Sequence, residues 1–195
     1  MITTTLPPVV GGMENHVREL ARRLAGLGHR VDLIGSRNWR GRVFPRFEEK
    51  EGVTVHRVRD NVLPIYYLRY RLLILRAAGK LRQLHREVPF DIIHAHQVYP
   101  SGTAGAFFSR FYRVPLVITS HGSALPLNWE VGWIRPLMKW TMKRTDRFIA
   151  VSGELRDRLL DASVPNGKIT VLSNAVDTDR FSPAITGEPV RRRFG

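Results

Sequence analysis

Three short stretches carry side chains able to do chemistry. The first is Pro7-Pro8-Val9-Val10-Gly11-Gly12-Met13-Glu14-Asn15-His16. A glycine pair ahead of a helix lets the main chain come close to a ligand, and the free amides of the helix start favour an anion such as a diphosphate. The pair matches neither the Gly-x-Gly-x-x-Gly dinucleotide fingerprint nor a P-loop, so a plain tight turn is the competing reading. Glu14 also suits a structural part, as a first-turn acid that complements the helix dipole. The second stretch is His94-Ala95-His96. Alternate strand residues share a face, so both rings can point one way. A metal centre needs further ligands, and no His-Glu-x-x-His or similar set lies nearby in the chain, so no metal is expected. The third is Ser120-His121-Gly122-Ser123. A histidine followed by glycine at a strand end meets whatever sits in the crevice of an α/β sheet, which makes His121 a functional candidate.

Elements that would position these residues are legible around them. Ile2 to Leu6 is β-branched or apolar and predicts a short strand. Val17, Leu20, Ala21, Leu24 and Leu27 form one stripe of a helix that Gly28 closes, and Val31 to Ile34 predicts the next strand. Arg37 to Arg46 reads as a loop, Val53 to Val58 as a strand and Asp60 to Pro64 as a turn. Leu68, Leu72, Leu75, Ala78, Leu81, Leu84 and Val88 define a helix over Tyr66 to Val88. Strands follow at Ile92 to Ala95, Val114 to Thr119, Asp146 to Val151 and Lys168 to Leu172. Helices are expected at Ser101 to Tyr112, Trp133 to Arg144 and Glu154 to Leu160, the last capped by Ser152. Strands alternating with helices mean a mostly parallel sheet covered on both faces, in an α/β, Rossmann-like, doubly wound domain.

Composition narrows the chemistry. The 195 residues contain no cysteine, which removes disulfides, thiolate catalysis and cysteine-ligated metals. No apolar run is long enough to cross a membrane, and no signal-peptide pattern opens the chain. Thirty-one Lys and Arg against 17 Asp and Glu leave a net charge of +14, which attracts phosphates, acidic lipid surfaces or nucleic acid. The same charge is also compatible with a solvated basic surface and no partner. Two helices concentrate it. Arg69, Arg76 and Lys80 lie on one, and Arg135, Lys139 and Lys143 lie beside Trp133 and Trp140 on the other, a pattern suited to an anionic bilayer surface or to simple core packing.

Taken together, the motifs resemble the N-terminal half of a retaining glycosyltransferase of family 4 with the GT-B architecture. They are the 7–16 stretch, Gly28-His29-Arg30-Val31, Phe90-Asp91-Ile92-Ile93-His94-Ala95-His96 and Ser120-His121-Gly122. Asp146-Arg147-Phe148-Ile149-Ala150-Val151-Ser152 and Asn174-Ala175-Val176-Asp177-Thr178-Asp179-Arg180-Phe181-Ser182-Pro183 follow in the family order. The resemblance implies a Rossmann-like domain over 1–183, with 184–195 as a linker or the start of a missing C-terminal domain. That domain would bind most of the donor, and its motifs are absent, so a fragment, a truncated gene product or half of a split enzyme is expected. Where the family has Asn-Gly-Val-Asp, this chain has Ala175. A positive φ there would cost about 1 kcal/mol relative to glycine.

The resemblance also implies roles. Gly11, Gly12 and Gly122 bind the donor, and His121 sits beside the donor sugar, its backbone carbonyl facing the anomeric carbon. Glu14, His16, His96 and Tyr99 reach the acceptor, a glycan or lipid-linked molecule. The partners implied are a nucleotide-sugar donor, the acceptor and the second GT-B domain, with no cofactor beyond the sugar nucleotide as substrate. A cytoplasmic chain, peripheral on the inner face of the membrane, is expected. The alternative is a non-catalytic basic module for anionic membrane or nucleic acid. No helix-turn-helix, RNA-recognition or zinc motif supports specific nucleic-acid binding, and the missing dinucleotide fingerprint disfavours an NAD-type oxidoreductase.

Overall fold

A computed structural model describes residues 1–60, 66–122, 131–179 and 181–194, without the side chains of 66–69 and 189. Most of the expected turn over 60–64, the Arg69 side chain, Ser123 and Arg180 lie outside the described residues.

The sheet has two parts. Val31–Ser36 (β1) pairs in parallel with Val53–Val58 (β5), and Phe47–Lys50 (β4) adds an antiparallel edge to β5. Ile93–His96 (β6), Leu116–Ser120 (β7), Arg147–Ala150 (β8) and Ile169–Val171 (β9) form a parallel run in that order. Ile2 joins them through parallel bridges to Ile34 on one side and Ala95 on the other. The amide of Ile2 donates to the His94 carbonyl, and the amide of Thr3 donates to Ile34. The predicted strand over Ile2 to Leu6 thus shrinks to one bridging residue. Pro7 and Pro8 have no amide hydrogen to continue a ladder, and the chain turns away before them.

The helices are Gly12–Gly26 (α1), Tyr66–Glu87 (α2), Thr103–Tyr112 (α3), Ile134–Arg144 (α4), Gly153–Asp161 (α5) and Glu188–Phe194 (α6). Ser152 caps α5 as expected, its hydroxyl accepting from the Leu155 amide. Val17 and Ala21 bury α1 against Leu6, Leu33, Val53 and Val55. Leu27 lies past the end of α1 and is 75% exposed, so the stripe stops a turn earlier than its spacing predicts. On α2 the buried face is Leu73, Ile74, Ala77, Leu81 and Leu84, whereas Leu75 and Val88 are exposed. The predicted stripe holds at Leu81 and Leu84, but within the apolar run Leu72-Leu73-Ile74-Leu75, which fits two phases of the same period, Leu73 and Ile74 are the buried pair. On α4, Ile134, Met138 and Met142 point into the larger core with Leu81, Ile93, Leu116, Ile118 and Phe148. Trp140 packs against Phe107, with ring centroids 4.8 Å apart, while Arg135, Lys139 and Lys143 are exposed.

Two elements were read as loop. The 37–46 stretch contains the hairpin Asn38–Trp39 (β2) with Arg42–Val43 (β3), and the tail contains α6. In the hairpin, Arg40 (φ 45°) and Gly41 (φ 79°) both occupy positive φ. A two-residue turn of this kind favours Asn and Gly, and arginine in its first position costs about 1–2 kcal/mol. Ala175, by contrast, is not among the residues with positive φ, so the strain expected there does not arise.

Glycines separate packing from propensity. A Cβ on Gly102, at the entry to α3, would stand 2.6 Å from Ile118 Cδ1 and 2.8 Å from the Gln97 carbonyl, but one on Gly79 of α2 would meet nothing within 4 Å. Gly102→Ala is therefore expected to destabilise by about 1–3 kcal/mol. Gly79→Ala is expected to stabilise by about 0.5–1 kcal/mol. Urea unfolding of the two variants checks both signs.

Candidate active site

The carboxyl ends of β6 and β7 stand side by side, with His96 opposite Thr119 in the parallel register. That pairing brings together histidines distant in sequence. His96 is fully buried, and its Nδ1 lies 3.0 Å from Nε2 of His121, just beyond β7. His94 lies beside His96, with centroids 4.4 Å apart, and its Nε2 is 2.7 Å from the Thr119 hydroxyl. His16 reaches across from α1, its ring centroid 5.1 Å from that of His121 and 6.0 Å from that of His96. Sequence spacing predicted the His94–His96 face. It could not show that His16 and His121 complete a cluster with it.

Backbone geometry holds the cluster in place. Gly122 has φ +104°, a conformation that favours glycine, and so lets the chain turn immediately after His121. Gln97, next to His96, also has positive φ (95°), fixed by its amide donating to the Thr119 carbonyl and its carbonyl accepting from the Gly102 amide. Neither Gln97 nor Thr119 carried a sequence signal, because their roles exist only once the strands are aligned.

The Gly11 loop is braced from below. Gly11 caps α1 in an extended conformation open to any residue, so its φ is not what demands glycine. A Cβ there would overlap the Glu14 carboxylate, which accepts a hydrogen bond from the Thr5 hydroxyl in a buried contact. Glu14 is therefore turned inward beneath the loop. Gly12 faces open space. Arg57, whose side chain is 2% exposed, donates to the Pro7 carbonyl at 2.7 Å and pairs with Glu48 at 2.8 Å, anchoring the start of the loop. Tyr99 is 1% exposed and packs edge-on to Tyr70, so its ring belongs to the core rather than to an open surface.

Burial sets the charge of the cluster. It drives His94 down to about 3 and His121 to about 4, holds His96 well below the ordinary histidine range and lowers His16, with neighbouring imidazoles adding to the effect at His94, His96 and His121. At neutral pH the rings are uncharged, each offering one N–H donor and one acceptor. Such a surface suits sugar hydroxyls. The donor nitrogens of His16, His96 and His121 also lie within 4.8 Å of one another, close enough to hold a metal ion after a small contraction. The expectation of no metal rested on sequence neighbours, and these ligands come from three separate elements.

Because the folded histidines resist protonation and unfolded ones titrate near pH 6.5, the unfolded state binds more protons below that value. Stability is expected to be full above about pH 6.5 and to fall as the pH drops toward 4. Asp32 acts in a lower window. Burial pushes its carboxyl up, but the His56 hydrogen bond and Arg30 outweigh this and hold it below its ordinary value, so its contribution is lost only in stronger acid. Melting temperatures across this range should show the loss, and His94→Asn should flatten it between pH 6.5 and 4.

Comparison with known proteins agrees with this geometry. The model of Glycosyltransferase Family 4 matches residues 10–180. A glycogen synthase of Mycobacterium tuberculosis is 28% identical over 205 residues, covering 93% of this chain and 49% of the relative. A D-inositol 3-phosphate glycosyltransferase of Nocardiopsis dassonvillei is 29% identical over 199 residues, covering 93% and 45%. The chain thus spans about half the length of these relatives. Among solved structures, sucrose-phosphate synthase from Thermosynechococcus elongatus superposes with a TM-score of 0.77 at 16% identity, over 100% of this chain and 52% of that one. The fold is the Rossmann-like half of a GT-B glycosyltransferase, and the chain belongs to Glycosyltransferase Family 4, as an N-terminal domain of that family.

Proposed function

We propose that this domain takes part in retaining glycosyl transfer from a sugar nucleotide, binding the acceptor and part of the donor diphosphate while a second domain binds the rest of the donor. The convergence of His16, His96 and His121 at the strand ends supports this reading. The amides at Gly11 and Gly12 open α1 and suit the diphosphate. His121 lies beside the donor sugar, its ring contacting hydroxyls and its backbone carbonyl placing partial negative charge near the anomeric carbon. The bond from that carbon to the diphosphate oxygen breaks. The acceptor hydroxyl attacks from the same face, and the leaving diphosphate takes its proton. Val171, Leu172, Val176, Phe181 and Ile185 are exposed along the last segment, in keeping with a surface that a second domain covers.

Calorimetry with a panel of sugar nucleotides and free nucleoside diphosphates tests the donor assignment. Gly11→Val, which pushes out Glu14 and crowds the loop, is expected to weaken nucleotide binding about tenfold or more. In transfer assays with a donor-binding domain supplied, His121→Ala should lower turnover by about 10²–10³. Full turnover by the His121 variant would reject its placement at the sugar.

A peripheral position on an anionic, cytoplasm-facing membrane is a second reading. It is favoured by the exposed Arg135, Lys139 and Lys143 on α4 and by Arg71 stacked 4.5 Å over Trp133. Co-sedimentation with anionic vesicles should fade with salt and with the triple Gln variant of the α4 cations, each worth about 1 kcal/mol near such a surface. Equal binding to neutral vesicles would rule this reading out.

A further inference from the structure

A cavity lies against the loop that leads into Gly11. A space of about 500 Å³ lies between Pro8 and Val10 on one side and Trp39, Arg40, Arg42 and Phe44 of the hairpin on the other. Among the described residues no carboxylate lines it. Its two walls are tied together, since the buried Arg57 guanidinium donates both to the Pro7 carbonyl at 2.7 Å and to the Pro45 carbonyl at 3.4 Å. Arg37 closes the base of the hairpin, its carbonyl accepting from the Phe44 amide and its Nε donating to the Phe44 carbonyl. The cavity is therefore set before any ligand arrives.

The hairpin tip is unusual for a plain turn. Arg40 stands at positive φ, where asparagine or glycine would be easier, and its guanidinium lies 5.6 Å above the Trp39 ring. Strained backbone that places a charged side chain at a cavity mouth is a pointer to ligand contact. The chemistry on offer is an aromatic plane for the C–H face of a ring and two guanidinium forks for an anionic group.

We propose that this cavity is an acceptor subsite for a ring bearing a phosphate, a phosphorylated sugar or polyol. Trp39 lies under the ring, and Arg40 and Arg42 hold the phosphate. The proposal rests on the acceptor-binding reading above and names the acceptor's class. The two relatives described are named for different products, glycogen and a glycoside of D-inositol 3-phosphate. The acceptor class therefore has to be read from this chain's own residues. The phosphate could belong to a soluble ester or to a lipid headgroup, and the test separates them.

The experiment titrates the purified chain with myo-inositol 1-phosphate, glucose 6-phosphate, myo-inositol, glucose and inorganic phosphate, by calorimetry and tryptophan fluorescence. A parallel arm uses phosphatidylcholine vesicles with and without phosphatidylinositol. A phosphate ester should bind at least about tenfold tighter than its neutral parent and than inorganic phosphate. Arg40→Gln with Arg42→Gln should remove that preference. Arg82→Gln with Arg86→Gln, which deletes the same charge from exposed positions of α2, should leave it unchanged. Arg40→Gly provides a check on folding: relief of the turn should raise the urea midpoint while binding still weakens. The same arginine dependence seen only on phosphatidylinositol vesicles would assign the phosphate to a lipid headgroup. Equal losses from the two charge-deleting pairs would reduce the site to diffuse attraction by a basic chain and overturn the proposal. No preference over the neutral parents, or inorganic phosphate binding as tightly as the esters, would overturn it too. Nucleoside diphosphate binding, measured in the same series, reports on the donor reading separately. Nucleotide binding without ester preference defeats only the subsite, and ester preference without nucleotide binding defeats the assignment of the donor diphosphate to the Gly11 loop instead.

Discussion

One residue of backbone holds the two parts of the sheet together. The Ile2 amide donates to His94 and its carbonyl accepts from His96, both in β6, while Met1 and Thr3 on either side of it bond to Ile34 of β1, and the Ile2 side chain is 1% exposed. Parallel pairing is slightly less stable per residue and is found where both faces are covered, and α1, α2, α3 and α4 supply cover through two hydrophobic clusters. Once Ile2 is seated between Ile34 and Ala95, the following segment can leave the sheet only at its carboxyl edge. The Pro7–Gly11 loop, the start of α1 and His16 are delivered to the ends of β6 and β7 by that one constraint. The site is a consequence of where the sheet is joined.

The electrostatics of the site run against those of the chain. A polypeptide with net charge +14 keeps its central histidines neutral. Desolvation does this, and the crowding of four rings makes any one protonation harder for the rest. Apart from the buried Arg57, which is paired with Glu48, basic side chains stand exposed on α4 and on the hairpin. A ligand with a charged end and a hydroxyl-rich body therefore meets two kinds of surface on this chain. Long-range attraction gathers it, and short hydrogen bonds to uncharged rings orient it.

Much of this was legible in the sequence, for physical reasons that differ by element. The buried strands announced themselves as short apolar runs between turn residues, and α5 as a serine followed by a capped helix. The phase of α2 was legible at Leu81 and Leu84 but not over 72–75, where four consecutive apolar residues satisfy either face. The hairpin at 38–43 was hidden for the opposite reason: its strands are two residues each, and its turn breaks the composition rule that normally marks one. At the site, His121 and the glycine pair were visible from strand-end logic alone. The inward turn of Glu14 and the sealed ring of Tyr99 were not, since a helix-start acid and a tyrosine read the same whether they face solvent or core.

Positions 11 and 14 share one volume. The carboxylate of Glu14, held by Thr5, fills the space that any side chain at position 11 would need. The glycine is therefore dictated by its neighbour rather than by its own dihedral angles. Across evolutionary drift the three positions should change as a set. A side chain should enter at 11 most easily where the acid at 14 has shortened or the hydroxyl at 5 has gone, so the glycine is expected to vary together with both.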